Sequence, residues 1–463
     1  MSKPNFSVVI LAAGKGTRMN SALPKVLHPV AGTPMIRKVI TAVSEAGASE
    51  VRVVVGYGEA LVRQVAEPLN CVCFHQANQW GTADAVRSAD PASLKGLVLI
   101  LNGDHPLITV QDVNKLIEDF TRSRLSLAVV TSVVKKPESL GRIVREGGKL
   151  RAIVEAADAS SDTLNIKEVN TGIYLAQAEL LQKLLPLVQS HNTKNEFYLT
   201  DIIHLGLETQ ERVGALTASA SVAFGVNTQA ELATATRALF ARKMKSLMAQ
   251  GVVMVDPKRT YIEEDVQIGS ATVIYPGAYL RGKTRVGSFC VLEPNCYIAH
   301  SEIADSVQIK AGSYLESSKV ATKAQIGPYA HLRPGTEIGQ EAHVGNFVEM
   351  KKTKFGARSK ANHLTYLGDA EVGADTNIGC GTITCNYAVD RKKYRTKIGD
   401  NVFVGSDCQF VAPVTVGDHS VIASGSTITT DVPQKALAIA RARQINKENY
   451  QIPSVASENP REK

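Results

Sequence analysis

Gln267-Ile-Gly-Ser-Ala-Thr-Val-Ile-Tyr-Pro-Gly-Ala-Tyr-Leu-Arg-Gly-Lys-Thr-Arg-Val286 places an aliphatic residue at Ile268, Ile274, Leu280 and Val286, one at every sixth position. The spacing runs with few breaks from Tyr261 to about Thr430. It continues through Leu292 and Ile298, then through Ile326, Leu332, Ile338, Val344 and Met350, and again through Ile398, Val404, Phe410, Val416, Ile422 and Ile428. A period of six is neither the helical 3.6 nor plain strand alternation. It is the pattern of a parallel β-helix in which each hexapeptide builds one flat face and turns its aliphatic residue into a narrow core. Stacked coils bury what no single repeat can bury.

Working outward, the 463-residue chain is too long for one core, so two domains are expected. Residues 1–227 read as a first domain, 228–251 as a linker helix and 252–463 as the hexapeptide domain with its tail. In the first domain, apolar stretches alternate with helical ones. Strands are expected at Val8–Ala12, Val51–Val55, Cys71–Phe74, Leu97–Leu101, Leu125–Thr131, Gly172–Leu175 and Val222–Val226. This βα alternation predicts a mostly parallel sheet covered by helices. Thr33 and Pro34 read as the cap and first residue of a helix reaching Ala46. Thr228 with Glu231 reads as a capping box for the linker helix, which Gly251 ends. Beyond Pro433 a short basic helix containing Arg441 and Arg443 is expected, followed by a disordered tail from Pro453 to Lys463.

Composition narrows the function. The net charge of +8 comes from scattered basic residues with few aromatics and no nucleic-acid motif, so phosphorylated small molecules are the expected partners. No apolar run reaches the ~20 residues of a membrane span, and Val8–Ala13 reads as a strand and not a signal peptide, so a cytoplasmic protein is expected. The seven cysteines form no CxxC pair and are expected to be structural, with Cys290 and Cys296 stacked in the solenoid core.

Leu11-Ala-Ala-Gly14-Lys15-Gly16-Thr17-Arg18-Met19 follows the first strand, and Pro24-Lys25 comes soon after. Glycines let a backbone approach phosphate oxygens closely, and Arg18 and Lys25 add positive charge. The loop lacks the third glycine of a dinucleotide fingerprint and the GK[ST] of a P-loop. Taken alone it has a lesser alternative as an ordinary tight βα turn. Asp104 ends the strand Leu97–Leu101, where open α/β sheets place ligands, and Asn227 follows Val222–Val226 in the same way. A carboxylate and an amide oxygen suit Mg²⁺, although Asn227 by itself also reads as the residue preceding a helix cap.

In the solenoid the six-residue rhythm slips between Met350 and Phe355 and breaks between Ile383 and Ile398. Near these irregularities lie Arg333, Lys351, His363, Tyr366, Asn377, Asn386, Tyr387 and Lys393. His363 among such neighbours is a candidate general base for an amine attacking a thioester, and Lys351 and Arg333 are candidates to hold a phosphate.

The Leu11–Met19 string resembles the signature of sugar nucleotidyltransferases. So do Leu23-Pro-Lys-Val-Leu-His-Pro-Val-Ala-Gly32, Gln76, Gly81-Thr-Ala83, Asn102-Gly-Asp-His-Pro106, Gly141-Arg142, Glu155 and Asn170-Thr-Gly172. Arg333-Pro-Gly335, Val348-Glu-Met-Lys351, Lys360-Ala-Asn-His-Leu364, Tyr366-Leu-Gly-Asp369, Asn377-Ile-Gly379 and Gly381-Thr-Ile-Thr-Cys-Asn-Tyr387 carry the resemblance further. Over essentially the whole chain it is similar to the bacterial bifunctional N-acetylglucosamine-1-phosphate uridylyltransferase and glucosamine-1-phosphate N-acetyltransferase family.

That resemblance implies a Rossmann-like nucleotidyltransferase domain followed by a left-handed β-helix, assembled as a homotrimer with acetyl sites where subunits meet. It implies acetyl transfer from acetyl-CoA to glucosamine 1-phosphate, then uridylyl transfer from UTP to N-acetylglucosamine 1-phosphate, with Mg²⁺. Lys25, Arg18 and His363 are then the catalytic residues. Leu11, Ala12, Ala13, Gly14, Lys25, Gln76, Gly81, Thr82, Gly141, Glu155, Asn170 and Asn227 contact the nucleotide or its sugar, with Asp104 and Asn227 on the metal. Arg333, Lys351, Tyr366, Asn377 and Lys393 hold the sugar phosphate. Cys380, Asn386, Tyr387, Ser406, Ser424 and Arg441 lie along acetyl-CoA.

Three departures from the family pattern stand out. Ala388-Val389 follows Asn386-Tyr387 where Asp-Gly is usual, in a loop one residue longer that leaves open whether Lys393 or Lys392 is the contact. Asp84 replaces a frequent histidine, and Cys380 replaces a common alanine. The alternative is a single-activity nucleotidyltransferase with the solenoid as scaffold, which would have no need of His363, Lys351, Asn386 or Tyr387.

Overall fold

A computed structural model describes residues 4–190, 192–193 and 195–451. The chain divides into two compact units, Met1–Lys245 and Ser246–Lys463. In the first, seven strands form the main path of a sheet in the order Val213–Thr217, Leu127–Val133, Glu168–Gln177, Leu97–Asn102, Phe6–Leu11, Glu50–Val55, Val72–His75. All neighbours on this path are parallel except Glu168–Gln177, which runs against both of its partners. Apolar side chains on both faces are buried under helices, Val8, Ile10 and Leu99 on one side and Val9, Val98 and Ile100 on the other. This two-sided burial is why these strands read as continuous apolar runs.

Leu11 pairs with Asn102 at the carboxyl ends of the two central strands, and there the chain leaves the sheet on both sides. A bulge between Asn170 and Tyr174 breaks the antiparallel register and turns Asn170, Thr171 and Gly172 towards the same end.

Three expectations for this unit fail. Val222–Val226 is not a strand; that stretch is a turn and an extended loop, and the edge strand is Val213–Thr217. Asn227 therefore takes its place from the following helix, Gln229–Ala249, whose Glu231 carboxylate accepts from the backbone N–H groups of Asn227 and Thr228 at 2.7 and 2.8 Å. Thr33 does not cap a helix: Thr33–Pro34 pairs antiparallel with Pro29–Val30, and the helix runs Met35–Glu45. The hairpin Arg142–Glu146 with Lys149–Val154 went unforeseen.

The capping box at Thr228 is formed, with Glu231 N–H donating to Thr228 Oγ1 at 3.2 Å. Gly251, at φ 89°, closes the helix, and Val252 N–H bonds back to the Leu247 carbonyl.

The second unit is a parallel β-helix with three faces. Face one holds eleven strands from Val253–Met254 to Leu437–Ala438, face two ten from Tyr261–Ile262 to Thr427–Ile428, and face three nine from Gln267–Ile268 to Val414–Val416. The aliphatic of each hexapeptide is buried, as at Ile262, Ile274, Leu280, Leu292, Ile298 and Val344. Each such side chain contributes about 1.5–3 kcal/mol. Cys290 and Cys296 are buried as expected, but on successive faces of one coil and not one above the other. Cys385 is exposed and belongs to no core.

The three faces differ on the outside. Face three carries an alternating column, Arg285, Glu302, Lys319, Glu337, Lys354, Glu371, Lys397, each residue beside the opposite charge on the next coil. Face two carries Tyr261, Tyr279, Tyr297, Tyr314 and His331 in ring contact, with Tyr297 and Tyr314 stacked at 4.4 Å.

The expected basic helix after Pro433 is absent among the described residues. Leu437–Ala438 instead adds a last strand to face one, and Ala440 N–H donates to Ser426 Oγ. The solenoid end thus takes up backbone groups that a helix would have paired internally. The tail expected to be disordered lies outside the described residues.

Candidate active sites

Two adjoining cavities open at the carboxyl ends of the central strands, of about 760 and 250 Å³. Every nucleotide-site candidate lines one or both. Arg18, Gly141, Glu155, Asn170 and Asn227 line the larger. Ala12, Ala13, Gly14, Gln76 and Gly81 line the smaller. Leu11, Lys25, Thr82 and Asp104 border both. A side chain added at Gly14 would meet nothing within 4 Å, so the loop leaves open space where a ligand can lie against the backbone. Gly16, at φ 66°, packs against the Lys25 side chain and leaves no room for a Cβ.

Lys25 is the hub. Its ammonium contacts Asp104 Oδ2 and donates to Asn227 Oδ1 at 3.1 Å. The backbone joins the last two as well, since Val226 N–H donates to the Asp104 carbonyl at 3.0 Å. Burial pushes the Asp104 carboxyl up, but the charges of Lys25 and His105 together with the hydrogen bonds it accepts hold the group below the ordinary carboxylate range. Burial, with Lys25 adding to it, keeps neighbouring His105 below the ordinary imidazole range. Asp104 Oδ1 is buried without a hydrogen-bond partner. Two hard oxygens already gathered around one cation, with a further oxygen unsatisfied, fit a divalent metal that keeps water or phosphate in its other positions.

Several residues that shape the cavity escaped the sequence reading. Asn102 and Tyr174 line it, with Asn170 Nδ2 donating to the Tyr174 hydroxyl at 2.9 Å. Asn102 stood inside a quoted motif, but its position opposite Leu11 needed the strand register. Arg142 is buried and spends its guanidinium on the carbonyls of Glu138, Leu140 and Leu164, so it holds the 138–141 rim and faces no ligand.

In the second unit the candidates fall into two groups. Asn346, His363, Cys380, Ser406 and Ser424 occupy equivalent places on successive coils at the corner between faces one and two; the pairing of Asn346 with His363 and the bonds Asp407 N–H to Cys380 O and Gly425 N–H to Ser406 O follow this column. His363 Nδ1 lies 2.8 Å from Asn346 Oδ1. Arg441 comes beside Gly425, the residue after Ser424. Tyr329, Phe347 and Leu364 form the adjacent column, 58%, 56% and 60% exposed, all with positive φ.

The second group lies at the far edge of face two. Lys351 and Lys393 bring their ammonium groups together, and Lys393 is the main reason that Lys351 titrates below the usual lysine range, with burial adding to it. Arg333 pairs with Glu349 at 2.8 Å, and Asn386 Nδ2 donates to Asp369 Oδ2 at 2.5 Å. The hairpin bridge between Tyr387 and Lys393 directs Lys393 to this place, whereas the Lys392 backbone N–H turns to Asp390. Tyr366 stands on face two beside Glu349, and its hydroxyl comes to Gly368 together with Asn386 Nδ2, within the second group. Asn377 is on face one and joins neither group.

The fold and these clusters define a two-part transferase, a nucleotidyltransferase unit followed by a hexapeptide-repeat transferase unit. Residues 8–191 match the MobA-like NTP transferase domain, 260–361 the GMPPB C-terminal domain and 395–430 six bacterial transferase hexapeptide repeats. The chain is 58% identical over 453 residues to the bifunctional protein GlmU of Bdellovibrio bacteriovorus, covering 98% of this chain and 99% of that one. It is 47% identical to the same protein of Trichlorobacter lovleyi (96% and 97% covered) and 45% identical to that of Geotalea uraniireducens (97% and 99%). The chain belongs to the family of bifunctional GlmU proteins, with a left-handed parallel β-helix of hexapeptide repeats as its second half.

Proposed function

We propose that the chain carries both reactions of UDP-N-acetylglucosamine synthesis, acetyl transfer in the second unit and uridylyl transfer in the first. The observation that supports two reactions is that each compact unit carries reactive groups of its own, Lys25 with Asp104 and Asn227 in the first and His363 with Asn346 in the second.

In the second unit, the ammonium of glucosamine 1-phosphate loses one proton to water, and His363 accepts a second from the nitrogen as it attacks. The amine attacks the thioester carbon of acetyl-CoA, an N–C bond forms, the C–S bond breaks and the proton passes to the departing thiolate. Lys351, Lys393 and Arg333 hold the phosphate, whose two negative charges relieve the paired ammoniums. Tyr366 completes the sugar contacts within one chain and Asn377, on face one, reaches the sugar from a neighbouring copy, while Cys380, Ser406, Ser424 and Arg441 line the path of coenzyme A and Asn386 and Tyr387 lie where that path meets the sugar-phosphate group.

In the first unit, a phosphate oxygen of N-acetylglucosamine 1-phosphate attacks the α-phosphorus of UTP, and the bond to the β-phosphate breaks to release pyrophosphate. Lys25 and Arg18 neutralise charge on the phosphates, and Leu11 to Gly14 offer backbone to the nucleotide. Mg²⁺, held by Asp104 and Asn227, would supply further charge compensation when bound.

A homotrimer is part of the proposal. The exposed apolar corner at Tyr329, Phe347 and Leu364 and the tyrosines of face two favour burial between copies, whereas face three neutralises its own charges. No helix among the described residues is long and apolar enough to cross a membrane, which fits action on soluble substrates in the cytoplasm.

The experiment supplies purified protein with glucosamine 1-phosphate, UTP and Mg²⁺, with and without acetyl-CoA, and follows UDP-N-acetylglucosamine by mass spectrometry. Product that requires acetyl-CoA supports both reactions. Product only from supplied N-acetylglucosamine 1-phosphate would leave uridylyl transfer alone.

A further inference from the structure

Gln76 follows the edge strand Val72–His75 and is buried at the wall of the smaller cavity. Its side-chain amide has one donor end and one acceptor end, and which end faces the cavity decides what a ligand must offer. The donor end is committed. Nε2 donates to Asp84 Oδ2 at 2.7 Å and to the Gly81 carbonyl at 3.3 Å. A carboxylate and a carbonyl only accept, so the amide cannot turn over without setting oxygen against oxygen. The acceptor Oε1 is left for a ligand.

Asp84 is itself placed by its helix. Thr82–Ser88 begins after Gly81, which is pressed against the Phe197 backbone, and Ala83 N–H donates to the Phe197 carbonyl at 2.9 Å.

We infer that Asp84 is the positioning residue that commits this cavity to a nucleobase presenting an N–H donor, and so to uracil over cytosine. Uracil carries a hydrogen on N3 that can meet Gln76 Oε1. Cytosine carries a lone pair there and would leave two acceptors facing each other in a buried site. Sites built around one hydrogen-bond pattern reject the wrong pattern far more strongly than sites that sort by size. This inference rests on the reading of the first unit as a uridylyltransferase.

The test compares kcat/KM for UTP and CTP, with N-acetylglucosamine 1-phosphate as acceptor, in the wild-type chain and in Asp84→Asn, Asp84→Ala and Asp84→Glu. Asparagine can donate as well as accept, and alanine does neither, so in both only the longer 3.3 Å bond to the Gly81 carbonyl still holds the Gln76 amide, and its NH₂ can turn to the cavity. The UTP-to-CTP ratio is expected to fall about tenfold or more in Asp84→Asn and Asp84→Ala, and to stay near wild type in Asp84→Glu. Two freeing variants guard against one failing to fold. A residue that only stabilised the helix would lower both rates together and leave the ratio unchanged. Wild-type turnover of UTP with the same ratio in the Asn and Ala variants overturns the role of Asp84 alone. Absence of any nucleotidyl transfer by the wild-type chain overturns the reading beneath it as well.

Discussion

Asn346 Oδ1 lies 2.8 Å from His363 Nδ1, the two residues paired on successive coils of the solenoid. An amide oxygen accepts, so the imidazole must carry its hydrogen on Nδ1, and Nε2 keeps the lone pair a general base needs. Asn346→Leu removes that preference and lets the ring turn or change tautomer. Acetyl transfer should fall about ten- to a hundredfold in kcat, the scale seen when partners that orient histidines are lost. KM for glucosamine 1-phosphate should move little. Asn346→Asp keeps an acceptor and should retain most of the rate. Equal loss in both variants would show that the amide serves packing alone.

The Lys351 and Lys393 pair sets a second expectation. The two ammoniums are held together with the Asp369 carboxylate 4.0 Å from Lys351 as partial compensation, and Lys393 is the first cause of the lowered titration of Lys351. As pH rises, Lys351 loses its proton earlier than an ordinary lysine would, so the apparent affinity for the sugar phosphate should weaken on the alkaline side. Lys393→Met removes the repelling charge and returns Lys351 towards its usual range. The alkaline limb of the KM profile should therefore shift to higher pH, while affinity at neutral pH falls about tenfold or more through loss of a charge-assisted bond. Lys392→Met should change neither. An unchanged limb in Lys393→Met would separate the two lysines.

How far the sequence could be read depended on whether a residue's place is set locally or by its neighbours. The solenoid was legible because every coil repeats the same demand, an aliphatic residue turned inward each six positions. Where the rhythm breaks, Ile383 is exposed, while Thr384 points inward and gives its hydroxyl to the Gly368 carbonyl. Val222–Val226 looked like a strand because it is apolar and buried, yet its backbone turns to bring Val226 N–H onto the Asp104 carbonyl. Burial alone does not distinguish a strand from a packed loop. The residues of the first cavity were recognisable as motifs, but the contacts that Lys25 makes to Asp104 and Asn227 span 79 and 202 positions of sequence, and only the fold brings them together.

Because the two clusters lie in separate compact units, their losses should separate. Asp104→Ala removes the carboxylate that pairs with Lys25 and should reduce uridylyl transfer to background while acetyl transfer stays near wild type. His363→Ala should do the reverse, lowering acetyl transfer about 10²–10⁴-fold. Chelation of divalent ions should stop only uridylyl transfer. Each reaction is assayed separately with its own substrates. A folded Asp104→Ala protein that lost both activities would contradict the division of labour.

The outward columns of the solenoid separate faces that can lose charge balance from faces that cannot lose apolar cover. Lys354 on face three sits between Glu337 and Glu371, fully in solvent reach, so Lys354→Glu costs a surface interaction worth about 0–1 kcal/mol. Assembly should survive it. Phe347 stacks on Tyr329 at the exposed corner with its ring centroid 5.7 Å away, one position after Asn346 and one coil from His363. If that corner is buried between copies, Phe347→Asp places a charge in the contact and should dissociate the assembly, whose mass sedimentation measures directly. If acetyl sites are completed by a neighbouring copy, acetyl transfer should disappear with the trimer while uridylyl transfer persists. A Phe347→Asp protein that stayed trimeric would remove the corner from the interface, and a proven monomer that still transferred acetyl groups would show that one chain suffices.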